Sequence, residues 1–94
     1  MIHIVVVNEV KEGYLEVVKE QLALLVAETV KEEGCIRYNA FFSTNNENTI
    51  SFVETWETQA HLDAHLETEH IKSYRAKTAD MFVSRSVNFL ELIA

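Results

Sequence analysis

The sequence predicts one α+β domain with the element order βαββαβ. Four stretches rich in β-branched and aromatic residues are separated by patterns in which apolar residues recur every three or four positions. The chain has 94 residues, no proline and only 2 glycines, so no linker divides it. These observations favour a single domain over residues 1–94.

The first strand is predicted at Ile2–Val10, because β-branched residues fill both of its alternating faces. Asn8 interrupts this apolar pattern near the strand end. After Gly13, leucines and valines recur at threes and fours as far as Gly34, which predicts a long helix that ends at that glycine. We expect the strand to be central and covered on both faces.

A β-hairpin is predicted in the middle of the chain. Ile36–Phe42 and Ile50–Trp56 both alternate between apolar and polar residues, and the asparagines between them favour a turn. Tyr38 and Phe42 are expected to be chiefly core residues, with Tyr38 able to offer a hydroxyl group.

The remaining chain predicts two short helices and a last strand. Thr58 is a suitable N-cap for a helix that carries His65 at the edge of its apolar stripe, and a break is expected near Thr68. A further helix is predicted at about Ile71–Met81, followed by a strand at Val83–Ile93.

This order gives a ferredoxin-like, four-stranded antiparallel sheet with its helices on one face. The other face would be bare, although the first strand is apolar on both sides. Large exposed apolar surfaces are rare on monomers, so a second copy of the chain is the simplest cover. The sequence therefore predicts a homodimer.

Composition argues against several kinds of partner. The formal net charge is −7 and the 8 lysines and arginines are scattered, so nucleic acid is not expected. The apolar residues 1–7 are too few to span a membrane and lack the basic region of a signal peptide, so we expect no membrane association and a cytoplasmic protein. Cys35 is the single cysteine, and a small buried side chain is favoured over a reactive thiol.

Several common catalytic motifs are absent from the chain. There is no Gly-rich phosphate loop, no GxSxG and no HExxH. His61 and His65 lie four apart on a predicted helix and can in principle hold a metal with His70. No Asp or Glu at a convincing spacing completes the set, so no metal site is expected and His61 is predicted to be solvated.

Three segments carry a family resemblance over most of the chain. They are Lys31–Cys35 followed by Tyr38, Glu54–Thr58, and Ala60–His70, and together they resemble the antibiotic biosynthesis monooxygenase family. The resemblance implies a dimeric α+β barrel in which two sheets face each other, with a pocket between sheet and helices in each subunit. It also implies oxidation of a small electron-rich aromatic or quinol substrate by O2 with no added cofactor.

The resemblance does not extend to the haem-degrading branch of that family. His65 stands where that branch has a pocket tryptophan, and Arg75 stands where it has an iron-binding histidine. Haem degradation is therefore disfavoured.

His65 is the candidate general base. It borders a stripe of leucines on its helix and should point toward the interior, where it would take a proton from a phenolic or quinol hydroxyl. The resulting anion can give one electron to O2. The alternative is a buried histidine whose ring is satisfied by a backbone carbonyl.

Asn8 and Glu54 are the other candidate catalytic residues. An inward amide in an apolar strand needs a hydrogen-bond partner, which is either a ligand or solvent at the strand end. Glu54 lies between two aromatic residues on one strand face, so its carboxyl is desolvated unless it holds a histidine, a substrate hydroxyl or a strand-end salt bridge. Three further residues are candidates for substrate contact: Trp56, Tyr38 and His70. Trp56 is expected to be a core residue first and a wall for the substrate second, and the alternative role of His70 is to cap the next helix.

Two other functions fit the same residues. An isomerase or other proton-transfer enzyme can use the same histidine and glutamate without consuming O2, and a non-enzymatic dimer can bind a small ligand in the pocket. The fold alone does not choose between these functions.

Overall fold

The computed structural model describes all residues 1–94. Its elements follow the predicted order, with the second helical region divided in two. They are β1 Ile2–Val10, α1 Leu15–Thr29, β2 Cys35–Phe42, β3 Thr49–Trp56, α2 Gln59–His65, α3 Glu69–Thr78 and β4 Phe82–Leu90.

The four strands form one antiparallel sheet in the order β2-β3-β1-β4, which is the predicted ferredoxin-like arrangement. β1 is central and pairs with both β3 and β4. Its register sets Asn8 opposite Ile50 and Arg85, and Ile4 opposite Glu54. Directly opposed residues share a sheet face, so Asn8, Ile4 and Glu54 all point to the side on which the helices lie.

The core lies between that helix-facing side and the three helices. Along β1, Ile4, Val6 and Val10 are buried, whereas Val7, on the other face, is 36% exposed. Helix α1 contributes the buried Val18, Leu22 and Leu25, spaced as one apolar stripe of a helix. Burial of such side chains supplies most of the stabilising free energy, at roughly 1.5–3 kcal/mol for each.

A threonine caps the start of each of the helices α2 and α3, and the second cap lies at the break between them. The hydroxyl of Thr58 accepts a hydrogen bond from the backbone N–H of His61, and the hydroxyl of Thr68 accepts one from that of Ile71. The Thr68 hydroxyl also donates to the backbone oxygen of His65 at 2.8 Å. The break therefore holds the end of α2 close to the start of α3, as the sequence predicted.

The second face of the sheet carries no helix. Val5 and Val53 oppose each other there, partly buried, and Phe41 is 50% exposed. Within one chain β1 is therefore covered on one face only, as expected for a sheet with its helices on one side. Cover of its second face by another copy of the chain stays a prediction. No helix is both long and apolar enough to cross a membrane.

Two predicted ends of secondary-structure elements were wrong. Helix α1 ends at Thr29 rather than Gly34, because the chain turns there and the backbone N–H of Glu32 donates to the Thr29 oxygen. The last strand ends at Leu90 instead of Ile93.

Phe42 is 57% exposed instead of being a core residue, since β2 is an edge strand. The Lys19 ammonium lies 4.2 Å from the centre of its ring, so the side chain makes a cation–π contact at the surface.

Gly34→Ala is expected to destabilise the chain more than Gly13→Ala. Both glycines have positive φ, 81° and 90°, so each substitution carries a backbone cost of about 1–2 kcal/mol. A Cβ at Gly34 would also overlap the His61 ring, whereas nothing lies within 4 Å of one at Gly13. Urea unfolding at matched protein concentration measures the loss of unfolding free energy in both variants.

Adding His61→Ala to Gly34→Ala should remove only part of the excess loss of stability, because the alanine keeps the Cβ atom, which would lie 2.6 Å from the added Cβ. Equal losses for the two glycine variants would contradict the predicted overlap.

Candidate functional site

A cavity of about 300 Å³ lies between the helix-facing side of the sheet and helices α2 and α3. It opens beside β4, where Val87 and Phe89 line it and are 44% and 64% exposed. Most of its wall is apolar, including Ile4, Val6, Phe52, Leu62 and Ile71. An apolar cavity with a few polar groups is typical of a site for a small molecule.

Asn8 lies in this cavity and is only 1% exposed. Its side-chain nitrogen donates to the backbone oxygen of Ile50 over 3.5 Å, which is a long and weak hydrogen bond. The amide therefore keeps hydrogen-bonding capacity for a ligand. The solvent-facing alternative does not hold for this residue.

Glu54 is a buried acid in the same cavity, 5% exposed, and it makes no ion pair. The Trp56 indole N–H donates to its carboxyl at 2.9 Å. Burial raises the pKa of Glu54, although the Trp56 hydrogen bond and the positive charge of Arg85 oppose the shift. A raised pKa lets this carboxyl hold a proton, and so donate a hydrogen bond, nearer to neutral pH than an exposed acid.

His65 is 1% exposed and lies at the cavity wall. Its ring packs against those of Trp56 and Tyr38, with centroids 4.7 and 5.4 Å away. Its Nδ1 atom is 2.7 Å from the Glu32 carboxylate. The partner of His65 is thus a carboxylate rather than the backbone carbonyl of the alternative interpretation.

Glu32 is the residue that the sequence analysis missed. The same Oε2 atom lies 2.7 Å from His65 Nδ1 and 2.7 Å from His70 Nε2. Glu32 sits in the turn between α1 and β2, 33 residues before His65 along the chain, so no local spacing predicts this contact. The only signal for Glu32 in the sequence was its position within Lys31–Cys35, the first of the three segments that carry the family resemblance.

His61 does not join this cluster. Its Nδ1 atom lies 2.8 Å from the Thr58 hydroxyl, at the start of α2. The three metal-capable side chains that do converge are Glu32, His65 and His70, whose ligand atoms lie within 4.8 Å of one another.

The spacing of these three residues is that of hydrogen bonds. Tetrahedral zinc with bonds of about 2.0–2.1 Å keeps its ligand atoms roughly 3.4 Å apart, whereas Glu32 Oε2 is 2.7 Å from each histidine nitrogen. The cluster would have to widen to hold a metal ion. The expectation of no metal site stays a prediction.

Trp56 and His70 do not line the cavity, and their contact with substrate stays a prediction. Trp56 is fully buried behind His65 and holds Glu54. His70 turns toward Glu32 because it begins α3 on the far side of that carboxylate. Tyr38 does line the cavity, and burial raises the pKa of its hydroxyl.

Tyr74 is a cavity residue that the sequence reasoning also missed. It is 7% exposed, and its buried hydroxyl makes no hydrogen bond of good geometry in the chain, although the Thr78 side chain lies near enough to oppose a rise of its pKa. Burial raises the pKa of Tyr74 to about 12, so the hydroxyl keeps its proton and remains a donor. On an apolar helix stripe a tyrosine is usually packing, so the pattern gave no sign of this unpaired group.

Comparison with known proteins agrees with this architecture. The family described as antibiotic biosynthesis monooxygenase matches residues 1–77. A protein of Escherichia coli strain K12, named probable quinol monooxygenase YgiN, is 30% identical over 88 residues, which cover 85% of each chain.

Solved structures share the fold over nearly the whole chain. One from Bacteroides thetaiotaomicron, described as a conserved protein of unknown function and possible oxidoreductase, has a TM-score of 0.89 at 30% identity and covers 97% of this chain and 96% of its own. One from Nitrosomonas europaea has a TM-score of 0.94 at 23% identity over 100% of both chains, which shows the fold alone. With the match to residues 1–77, the chain belongs to the antibiotic biosynthesis monooxygenase family.

Proposed function

We propose that this protein is a cofactor-independent monooxygenase that oxidises a small quinol or other electron-rich aromatic molecule with O2. The observation that carries the proposal is a buried histidine, His65, held by a carboxylate at the wall of an apolar cavity. The name of the Escherichia coli relative, a quinol monooxygenase, points to the same substrate class.

The chemistry needs one base and no further redox group. His65 takes the proton of a substrate hydroxyl, and the anion that remains is a much better electron donor to O2 than the neutral quinol. In the simplest case, one hydroquinone and one O2 give one hydroxyquinone and one water. All four electrons that reduce O2 then come from the substrate.

The other polar groups of the cavity would orient the substrate. The Asn8 amide and the Glu54 carboxyl lie on neighbouring strands of the same face, and the Tyr74 hydroxyl comes from α3 opposite them. Groups held on three different elements can fix a planar ring in one orientation while the apolar walls exclude water. Trp56 supports His65 and Glu54 from behind instead of forming the substrate wall.

His65→Ala is expected to lower quinol-dependent O2 uptake on the order of 10²–10⁴-fold, the usual contribution of a general base. An oxygen electrode with a panel of hydroquinones measures the rate for both proteins. His61→Ala is the matched control, since His61 lies outside the cavity and should leave the rate unchanged.

Product analysis separates the alternatives. An isomerase would convert its substrate with no O2 consumed, and a ligand-binding dimer would bind quinols without turnover. If no hydroquinone of the panel causes O2 uptake, the oxygenase proposal is wrong.

Tyr74→Phe is expected to raise KM roughly 2- to 10-fold, the value of one neutral hydrogen bond. The free protein should be no less stable, because the substitution removes a buried hydroxyl that has no partner. Steady-state kinetics measures the change in KM, and urea unfolding measures the stability of the free protein. Tyr14→Phe, at a tyrosine that is 43% exposed, is the control, and an unchanged KM in the Tyr74 variant would show that substrate does not use this hydroxyl.

We also propose that the helix-free face of the sheet pairs with a second copy to form a dimeric barrel. Val5, Val53 and Phe41 lie on this face, and no element of the chain covers them. Beyond β4, Leu92 and Ile93 are 76% and 99% exposed, so burial of these apolar side chains against a partner would also be favourable.

Sedimentation at micromolar concentration should give about twice the chain mass of 10.8 kDa. Val53→Lys should shift the protein toward monomer, because it buries a charge in the proposed interface. Val17→Lys is the control, since Val17 is 41% exposed on α1. A wild-type protein that sediments as a monomer would contradict the proposed dimer.

A further inference from the structure

We infer that Glu32 is a positioning residue that fixes the tautomer of His65, and that His70 acts through Glu32 by holding its carboxylate in place. This inference rests on the proposed function, in which His65 is the base. It adds two residues that lie outside the cavity, and it specifies which nitrogen of His65 meets the substrate.

The hydrogen-bond chemistry of the cluster determines the tautomer. A carboxylate oxygen only accepts hydrogen bonds, so both imidazole nitrogens at 2.7 Å from Glu32 Oε2 must carry protons. His65 is then protonated at Nδ1, which leaves a lone pair on Nε2. A base needs that lone pair, and the opposite tautomer would present an N–H to the substrate instead.

The other ring nitrogen of His65, Nε2, has no hydrogen-bond partner within the chain, and His65 is one of the residues that line the cavity. The ring cannot rotate freely, because it packs against Trp56 and Tyr38. Packing and the Glu32 hydrogen bond together point Nε2 at the substrate.

The cluster also favours the protonated state that catalysis creates. When Nε2 takes a proton, the imidazolium lies against a carboxylate at 2.7 Å, with side-chain exposures of only 2% for His65 and 14% for Glu32. Attraction between opposite charges is strong where water is excluded. A hydrogen bond to a backbone carbonyl would fix the same tautomer with much less stabilisation of the positive charge.

His70 completes the arrangement from the solvent side. Its side chain is 24% exposed, and its Nε2 atom donates to the same oxygen that His65 uses. No lysine or arginine pairs with Glu32, so His70 is its second anchor. Without His70, the carboxylate can rotate toward water and loosen its hold on His65.

Nitrogen-detected NMR of the full chain tests the tautomer directly, with His65→Ala used to assign the His65 signals. We expect a protonated Nδ1 and an unprotonated Nε2 on His65 in the wild type. In Glu32→Gln the amide can donate to Nδ1, so the tautomer should invert, with the proton on Nε2. Glu33→Gln, at the exposed neighbouring acid, is the matched control and should leave the tautomer unchanged.

Kinetics test the consequence for the reaction. Glu32→Gln should lower kcat on the order of 10²-fold, with KM changed less than kcat, because the substrate does not touch Glu32. His70→Ala should lower kcat less than Glu32→Gln does. Adding His70→Ala to Glu32→Gln should lower kcat little further, because His70 acts through the Glu32 carboxylate. Additive losses would overturn the role given to His70.

Different results would overturn the proposed function and the inference about the His65 tautomer. If no quinol is turned over, the proposed function fails while the NMR experiment still decides the tautomer. A wild-type His65 protonated at Nε2, or a tautomer unchanged in Glu32→Gln, would overturn the inference. So would one equivalent of bound zinc in the purified protein with both His65 Nδ1 and His70 Nε2 lacking protons, because the ion would then replace the hydrogen bonds.

Discussion

A single carboxylate oxygen joins three separate parts of this chain. Glu32 Oε2, in the turn after α1, accepts hydrogen bonds from His65 at the end of α2 and His70 at the start of α3. A buried carboxylate is costly unless hydrogen bonds replace its water, and the two imidazoles supply them. The position of the α2–α3 break relative to α1 therefore depends on this contact, and so does the orientation of the cavity histidine.

The cavity keeps polar groups that a purely structural core would not keep. Asn8 has only a long hydrogen bond, Tyr74 has an unpaired hydroxyl, and burial raises the pKa of Glu54. Of the three groups, only the Tyr74 hydroxyl is unsatisfied, and such a group lowers stability by about 1–3 kcal/mol unless something binds it. Their convergence on one cavity is the physical reason to regard it as a binding site.

The sequence predicted the fold well because each element carries a local signal. Alternation marked the strands, and Thr58 marked the start of α2 as a side-chain cap. Thr68 was predicted only as a break, although it caps α3 in the same way. The site was predicted less completely, since Glu32 reaches His65 across 33 residues and no periodicity encodes that contact. Trp56 was assigned to the substrate wall because strand phase gives the face of a residue, but not which neighbours stand between it and the cavity.

The register of β1 links the cavity to the helix-free face. Side chains alternate along a strand, so the pairing that points Asn8 inward also points Val5 and Val7 outward. A slip of one residue would exchange the two sets, exposing the apolar core residues and burying Glu9. The cavity and the outer apolar surface are therefore specified by one constraint. Association of a second copy through the outer face would stabilise the same register that points Asn8 into the cavity.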